Sequence, residues 1–310
     1  MTKRTDLLVK AAMLFYKEEV TQTEIAKILG VSRPTVATLL QEAKDKGIVR
    51  ITIQHTEYNI QQRQEALEKK YDLKTVIIAP NSSSHKNAKI AVGACCVEFI
   101  ERRLSKINNL GIGWGTTIYE YVQQANYRNF SDLSIVPLIG GMGMSEFQYH
   151  SNHLAFILAQ KYGCNVNYFY SPAIADTVKI KKILEDTELV RTILNMGKNV
   201  DMAIMGVGNP VLSSSYRQFG YIHESDVIEL EKSQAIGDIG ATFFDKNANA
   251  VDTNISEKMI GISLTDLINI PDVIVLATGK EKVNSIKPLI HKKVIDHLII
   301  DNEIAEALLE

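Results

Sequence analysis

The chain has 310 residues, which is long for one compact domain and short for three, so length alone predicts two unequal domains. Hydrophobic residues make up 45% and charged residues 23% of the sequence, which excludes a wholly disordered, collagen-like or disulfide-scaffold protein. The net charge of −2 hides an asymmetry. Residues 1–55 carry about nine basic against about six acidic side chains, so the first part is mildly basic and the remainder is acidic.

No feature of the sequence predicts a membrane or secreted protein. No stretch reaches the roughly 18 consecutive apolar residues of a membrane span, and the N-terminus lacks an apolar signal region with a cleavage site. The three cysteines, Cys95, Cys96 and Cys164, are odd in number and include an adjacent pair, so they imply no disulfide framework. We expect a cytoplasmic protein with buried, reduced thiols.

Helical periodicity dominates the beginning of the chain. Apolar side chains recur at helical spacing over residues 7–15, and residues 22–29 form a short second helix. After a turn at Gly30, Ser32 is placed to cap a third helix. Residues 48–53 then alternate like a short strand, which would supply a wing.

The second and third helices have the features of a helix-turn-helix. Two helices that cross closely need a small residue on the first helix and a glycine in the turn, and Ala26 and Gly30 supply them. The apolar residues that lock the second helix are Ile25, Val31, Val36 and Leu39. An ordinary helical hairpin would explain the apolar periodicity but would not require alanine and glycine at these offsets. We therefore predict a winged helix-turn-helix DNA-binding domain over residues 1–55.

The start of the third helix is expected to read DNA. In a helix-turn-helix the N-terminal residues of the second helix of the motif face base edges in the major groove. Here these residues are Ser32, Arg33, Pro34, Thr35 and Thr38. Arg33 is the best candidate for a contact to guanine, which would discriminate against other bases by about 1–3 kcal/mol. Alternatively, an exposed arginine at this position contacts phosphate and not a base. Phosphate contacts are expected from Thr21, Gln22, Thr23 and Lys44. Because the basic excess is small, one copy should bind double-stranded DNA weakly, and we expect a homo-oligomer.

A larger α/β domain is predicted over residues 56–310. A polar helical segment at residues 56–71 suits a helix that joins the two domains. Beyond it, short β-rich runs alternate with helical runs, which indicates a mostly parallel sheet. The predicted strands cover residues 75–79, 109–114, 134–137, 166–169, 201–207, 272–277 and 297–300. Predicted helices cover residues 88–104, 117–125 and 149–162.

A glycine-rich turn follows the second predicted strand. The strand ends in glycines and a helix begins with threonines, in the order Gly111, Gly113, Gly115, Thr116 and Thr117. Backbone N–H groups bared by glycine, hydroxyls at the cap and the positive end of the helix dipole favour an anion such as phosphate. A tight strand-to-helix turn would leave a similar pattern. The spacing is GxGxG rather than GxGxxG, so we expect no dinucleotide cofactor.

Three more glycine-containing loops follow predicted strands, at residues 140–143, 206–210 and 278–282. In a parallel sheet such loops gather at the carboxyl edge, where ligands bind. Lys282 and Arg217 are candidate partners for an anion, and Asp238 and Asp245 are candidate acceptors from sugar hydroxyls, although each alone is more often a solvated surface charge. The candidate effector-binding residues are Gly113, Trp114, Gly115, Thr116, Thr117, Gly141, Gly208, Asn209, Arg217, Asp238, Asp245 and Lys282.

The motifs TQTEIAKILGVSRPTVATLLQEAKDKGIV, GIGWGTT, LIGGMG, VGNP, AIGDIGATFFD and ATGKEK follow one another along almost the full chain. In this order they resemble the SorC/DeoR-type sugar-binding transcriptional regulators. The resemblance implies an effector domain similar to ribose-5-phosphate isomerase and glucosamine-6-phosphate deaminase folds, a sugar or sugar-phosphate effector, and a tetramer on operator DNA. It assigns Gly113, Gly115, Thr116 and Thr117 to a phosphate loop and Lys282 to the lysine after the last glycine loop.

Two departures from the family pattern limit this transfer. The family commonly places a basic residue where Thr38 stands, so the base preference does not carry over. No lysine lies within residues 138–143, so we expect no covalent imine there.

A sugar-phosphate isomerase with an appended DNA-binding domain is the alternative function. Such an enzyme needs a base beside the phosphate loop, and Glu120, Glu146 and Asp238 are the candidates. None of them stands in a distinctive constellation, so we predict no catalytic residue. His150 and His153 are three residues apart on a predicted helix, but no third ligand is nearby, which favours a polar helix surface over a metal site. We therefore predict an effector-controlled transcriptional regulator without a cofactor.

Overall fold

The computed structural model describes residues 3–46, 48–49, 56–141 and 146–310, and of Lys3, Thr56, Glu57 and Tyr58 it describes the backbone only. Contacts between Cα atoms divide the chain into two compact units, Met1–Thr56 and Glu57–Glu310.

The smaller unit is a three-helix cluster. Its helices are α1 Lys3–Tyr16, α2 Gln22–Leu29 and α3 Arg33–Asp45. The helices pack through fully buried apolar side chains, among them Leu8, Ile25 and Val36, as the helical periodicity predicts. Gly30 ends α2 with a φ of 65°, in the left-handed region that favours glycine, so the predicted turn is confirmed. The predicted wing strand is not tested: residues 48–49 are not in a strand, and residues 50–53 lie outside the described ranges.

The larger unit alternates strands and helices. Its strands are β1 Thr75–Ile78, β2 Asn109–Ile112, β3 Ser134–Pro137, β4 Asn165–Val166, β5 Met202–Gly206, β6 Gly237–Ile239, β7 Thr242–Phe244, β8 Asp272–Ala277 and β9 His297–Ile300. Its helices are α4 Thr56–Tyr71, α5 His85–Glu101, α6 Thr116–Gln124, α7 Ser151–Tyr162, α8 Val178–Asp186, α9 Glu188–Lys198, α10 Ser215–Gln218, α11 Glu224–Lys232, α12 Leu264–Leu267, α13 Val283–His291 and α14 Asn302–Leu309.

Seven of these strands form one parallel sheet in the order β1-β9-β8-β5-β2-β3-β4, which confirms the predicted α/β class. From β2 the chain adds β3 and β4 on one side, and it later adds β5, β8 and β9 on the other side. The strand order therefore reverses between β2 and β5, and parallel sheets bind ligands outside the carboxyl ends of the strands at such a switch point. Strands β6 and β7 form a separate antiparallel hairpin.

Two hydrophobic cores cover the two faces of the parallel sheet. Along β8, Val273 and Val275 belong to one core, whereas Ile274 and Leu276 belong to the other. Alternate side chains point to opposite faces of a strand, so a strand buried on both faces is apolar throughout. The first core includes α9, α13 and α14, and the second includes α5, α6 and α7. This architecture leaves the ends of the strands, rather than the faces of the sheet, available for binding.

Helix α4 protects one edge of the sheet. Strand β1 is an edge strand, and the side chains of Gln64 and Glu68 accept hydrogen bonds from the backbone N–H groups of Ile78 and Val76, at 2.9 and 2.8 Å. Leu67 of the same helix is fully buried in the core of the larger unit. The predicted joining helix is therefore packed into this unit, where it satisfies backbone donors that an open edge would expose.

Most predicted elements lie within three residues of the observed bounds, and two of the small differences are informative. The strand predicted at residues 166–169 is only Asn165–Val166. Phe169 leaves the sheet because the Asn152 side chain accepts from its N–H at 2.8 Å and donates to its carbonyl at 3.0 Å. The helix predicted from residue 149 begins at Ser151, with His150 as its N-terminal cap residue.

Candidate functional site

A cavity of about 160 Å³ lies at the carboxyl edge of the parallel sheet. Its walls come from the segments that follow β2, β5 and β8, joined by the start of α5, residues 213–218 and the β6 strand. The cavity thus lies at the point where the strand order reverses between β2 and β5, as expected for a ligand site in a parallel sheet. We call this cavity the switch-point pocket.

The first turn of α6 forms one wall of the switch-point pocket. Gly115 is the N-cap residue of the helix, with a φ of 119°, and no side-chain hydrogen bond caps this helix end. Thr116, Thr117 and Ile118 also line the pocket. The first backbone N–H groups of a helix have no partner within it, and the helix dipole places partial positive charge at this end. The wall is therefore suited to an anion.

Two lysines add full positive charge to the pocket. Lys282 donates from Nζ to the carbonyl of Ser213 at 2.6 Å. Burial lowers the pKa of Lys282, the charges of Asp238 and Glu281 oppose this shift, and the positive charge of Lys89 adds to it. Burial likewise lowers the pKa of Lys89, against the attraction of Glu120 and Glu281. Because two ammonium groups repel each other within one pocket, a bound dianion would stabilise both.

Asp238 supplies the buried carboxylate of the pocket. The residue is 8% exposed, and burial raises the pKa of its carboxyl group to about 6, against the charge of Lys282 and the hydroxyl of Ser214. Two backbone hydrogen bonds join Asp238 to Gly208, at 2.9 and 3.0 Å. A Cβ atom at residue 208 would lie 2.2 Å from Oδ1 of Asp238, so the glycine is needed for this approach.

Aromatic side chains pack beside the pocket. Trp114, which lines it, makes an edge contact with the buried ring of Tyr216, with ring centroids 4.7 Å apart. Phe219 stacks on Tyr149 at 5.2 Å, and the carbonyl of Tyr149 accepts from the N–H of Gly115 at 3.1 Å. These contacts connect residues 216–219 with the turn before α6.

The structure brings seven of the predicted effector-binding residues together in the pocket, namely Trp114, Gly115, Thr116, Thr117, Gly208, Asp238 and Lys282. The other five do not line it. The N–H of Gly113 donates to Ile204 within the sheet, and Gly141 pairs with Pro172.

The remaining three of these side chains serve local structure. Asn209 accepts from the N–H groups of residues 211 and 212. Arg217 donates to a carbonyl at 2.7 Å and pairs with Glu224. Asp245 accepts from the N–H groups of residues 247 and 249, as expected for a turn-forming aspartate.

Sequence reasoning missed several pocket residues, including His85, Lys89, Ser213, Ser215, Gln218 and Glu281. His85 and Lys89 are four residues apart at the start of α5, so they share a helix face, and that spacing was visible. Their helix, α5, follows β1, which lies at the edge of the sheet. The sequence therefore gave no reason to expect α5 beside the loop after β2. Ser213 and Ser215 flank Ser214, which caps the short helix α10.

The candidate bases of the alternative isomerase function do not lie together in one site. Asp238 lines the pocket, but Glu120 does not, and Glu146 accepts a hydrogen bond from Gln148. The expectation of a polar helix surface at His150 is wrong, because His150 is buried with Nε2 2.8 Å from the hydroxyl of Tyr221. Within the described ranges, no group of three or more His, Cys, Asp and Glu side chains is placed to hold a metal ion.

The DNA-facing candidates lie on or beside α2 and α3. All are exposed except the partly exposed Gln22. Several hydroxyls are engaged locally: Thr21 forms a capping box with Glu24, Ser32 accepts from the N–H of Thr35, and Thr38 donates to the carbonyl of residue 34. The guanidinium of Arg33 is therefore better suited than these hydroxyls to contact bases. Lys44 projects from the last turn of α3, with Nζ 5.9 Å from the ring centroid of Tyr16.

A helix-turn-helix unit joined to an α/β unit with a charged ligand pocket defines a ligand-responsive transcriptional regulator. Comparison with known proteins supports this class. A family model described as "Putative sugar-binding domain" matches residues 57–310, and a winged helix-turn-helix DNA-binding model matches residues 13–50. The chain belongs to this sugar-binding family, and its resemblance to SorC/DeoR-type regulators is confirmed.

Similar proteins match over their whole length. The deoxyribonucleoside regulator of Bacillus subtilis is 30% identical over 99% of this chain and 98% of its own. The sorbitol operon regulator SorC of Klebsiella pneumoniae has a full-length crystal structure that is 29% identical, covers 100% of both chains and has a TM-score of 0.77. A DeoR family regulator from Listeria monocytogenes, 30% identical, covers 81% of this chain and 99% of its own with a TM-score of 0.76. These relatives are named as regulators and not as enzymes.

None of the helices in the described ranges has the length and apolar character needed to cross a membrane.

Proposed function

We propose that this protein is a cytoplasmic regulator that binds operator DNA through residues 1–55 and a sugar or sugar-phosphate effector through residues 56–310. The observation that carries the effector proposal is the meeting, in one pocket, of an uncapped helix N-terminus with Lys282 and Lys89. Helix N-termini and ammonium groups are the usual protein partners of phosphate. The buried carboxylate of Asp238 in the same pocket supplies an acceptor for the hydroxyl groups of a sugar.

The relatives support a sugar-derived effector. The B. subtilis protein is named as a regulator of deoxyribonucleosides and the K. pneumoniae protein as a regulator of a sorbitol operon. Both names concern small hydroxylated metabolites, and a sugar phosphate combines such hydroxyls with the anion that the α6 wall favours. The proposal assigns the anion to Thr116, Thr117 and Lys282, and the hydroxyl groups to Asp238.

The DNA half of the proposal assigns base contacts to Arg33 and phosphate contacts to Lys44 and to the start of α2. The small basic excess of residues 1–55 favours a homo-oligomer, and the family resemblance suggests a tetramer, since several modules on one operator add their affinities. Effector binding would then favour one arrangement of the oligomer over another. Coupling of about 1–3 kcal/mol changes operator occupancy roughly 5–150-fold.

A DNA-release assay tests the effector site. The full-length protein is bound to labelled operator DNA and titrated with a panel of aldose, ketose and alditol phosphates, and direct binding is measured by calorimetry. We expect at least one sugar phosphate to change DNA affinity and Thr116→Glu to abolish the response, because the new carboxylate repels the anion. Thr265→Glu is the matched control, since Thr265 is exposed in the first turn of α12, outside the pocket.

Three results would contradict the proposal. An unchanged response in Thr116→Glu would remove the α6 wall as the anion site. The absence of any response to the panel would remove the sugar-phosphate effector. Turnover of a sugar phosphate at ordinary enzymatic rates would favour the isomerase alternative.

A further inference from the structure

Helix α8 leaves apolar side chains exposed on the larger unit. Its nine residues, Val178–Asp186, include none that is buried. On one side Leu184 packs against the first core, whereas Ile180 and Ile183 are 39% and 57% exposed. Leu189, at the start of α9, is 67% exposed. One exposed apolar side chain is ordinary, but several along one short segment are typical of a surface that contacts another protein.

The exposed isoleucines of α8 lie between opposite charges. Residues four and seven positions apart share one side of a helix, so Lys179, Ile183 and Asp186 lie on the same side, and Ile180 borders them. All four are exposed, and we call them the outer face of α8. The side towards the core holds the partly exposed residues, namely Val178, Lys181, Leu184 and Glu185. The outer face therefore has a basic end, an apolar centre and an acidic end.

The order of charges along α8 is unfavourable within the chain. Its three lysines precede its two carboxylates, with no acidic residue in the first turn and no basic residue in the last turn. The helix dipole favours the reverse order. Lys181 and Glu185 compensate each other at 3.9 Å, whereas Lys179 and Asp186 form no salt bridge with any residue that the structure describes. A partner that presents the opposite order of charges would compensate both of them.

A second copy of the same helix, running antiparallel, presents this opposite order. A two-fold axis through the middle of the outer face places Lys179 opposite Asp186 of the partner subunit, and the same pair recurs on the other side of the axis. The isoleucines of the two copies then meet at the centre.

We propose that the outer face of α8 is an interface between two copies of this chain, which pair their α8 helices antiparallel about a two-fold axis. The inference rests on the homo-oligomer of the proposed function and names a surface that forms it. An unrelated acidic or basic partner would match only one end of the outer face, whereas a second copy matches both ends. A standard interface buries about 800 Å² per partner, so α8 forms the apolar centre and surrounding surface forms the rim.

Exchanging the two end charges tests the pairing by sedimentation velocity of the full-length protein. Lys179→Asp and Asp186→Lys each place like charges opposite one another on both sides of the axis, so each should raise the Kd of the association at least tenfold. The double variant restores opposite charges and should return the Kd to within threefold of wild type. The two positions are about 10 Å apart along their own helix, so a contact within one chain does not explain such a rescue.

A substitution at the apolar centre tests the same surface independently. Ile183→Asp should raise the Kd at least tenfold, because it brings two carboxylates together at the axis. Ile228→Asp is the matched control, since Ile228 is 45% exposed on α11, and its Kd should stay within threefold of wild type. Circular dichroism checks that every variant keeps the wild-type helix content, as expected for exposed positions.

The outcomes separate this inference from the proposed function. An oligomer that Ile183→Asp and both single exchanges leave intact would refute the α8 interface, while the proposed homo-oligomer would stand. A wild-type protein that sediments as a monomer throughout the concentration range would refute both. Weakening by the single exchanges without rescue in the double variant would overturn the antiparallel pairing, and equal weakening by Ile228→Asp would overturn the assignment to α8.

Discussion

Neutralising the buried carboxylate of the pocket should stabilise the protein in a pH-dependent way. Burial raises the pKa of Asp238 from 3.8 to about 6, so the folded state holds this proton more tightly than the unfolded state. The stability that the group contributes is fully present below the unfolded pKa and is lost as the pH rises through the folded pKa. Between pH 5.0 and 7.5 this loss amounts to about 1.4 kcal/mol. Asp238→Asn does not titrate and avoids the loss.

Urea unfolding of wild type and Asp238→Asn at several pH values measures this effect. We expect the free energy of unfolding of the variant, relative to wild type, to increase by about 1.4 kcal/mol between pH 5.0 and 7.5. Asp245→Asn is the control: burial acts to raise the pKa of Asp245, but N–H groups of Asn249 and Asn247 lower it overall. Both of its states are then ionised across this window, and its difference from wild type should stay flat. A flat difference for Asp238→Asn as well would refute the reasoning.

Three further predictions concern the pocket and the DNA surface. Lys282→Met should weaken sugar-phosphate binding about tenfold or more in calorimetry, because it removes a charged partner of the anion, and equal affinity would exclude this lysine from the site. Gly208→Ala should lower the free energy of unfolding by about 1–3 kcal/mol and disturb effector binding, since its Cβ atom would lie 2.2 Å from Asp238; wild-type thermal stability would contradict the enforced approach. In gel shifts, Arg33→Ala should weaken cognate binding and relax specificity, whereas Lys44→Ala should weaken all sequences alike and flatten the salt dependence. Wild-type binding by both variants would remove α3 as the reading helix.

The secondary structure was largely predictable from periodicity. Apolar runs bounded by turns gave the bounds of β3, β8 and β9 to the residue, because these strands are buried on both faces and contain little else. Residues 166–169 have a pattern that suits a strand, but the strand ends at Val166. The backbone groups of Phe169 pair instead with the side chain of Asn152, which comes from α7 and is distant in sequence.

The composition of the pocket was predictable only in part. Residues next to a glycine loop, such as Thr116 and Lys282, could be found because the loop itself marks the carboxyl edge. Lys89 was missed since its helix follows β1, and the sequence does not say that α5 packs against α6. Arg217 and Asp245 were expected in the pocket on charge alone, whereas both hold local turns. Strand order and side-chain direction, which depend on tertiary packing, decide these cases.

The pocket concentrates groups that destabilise the free protein. Lys89 and Lys282 are cations that repel each other, and the buried carboxyl of Asp238 carries a raised pKa and an unpaired oxygen. The two cores on the faces of the sheet supply the stability that tolerates them. On the proposed function, the anionic group of an effector would relieve the repulsion between the two lysines, and a hydroxyl group would give the carboxylate a hydrogen-bond donor, at the junction of the segments after β2, β5 and β8. A ligand that contacts all three segments would interact differently with states in which these segments are arranged differently, which is what a ligand needs in order to favour one state of a regulator.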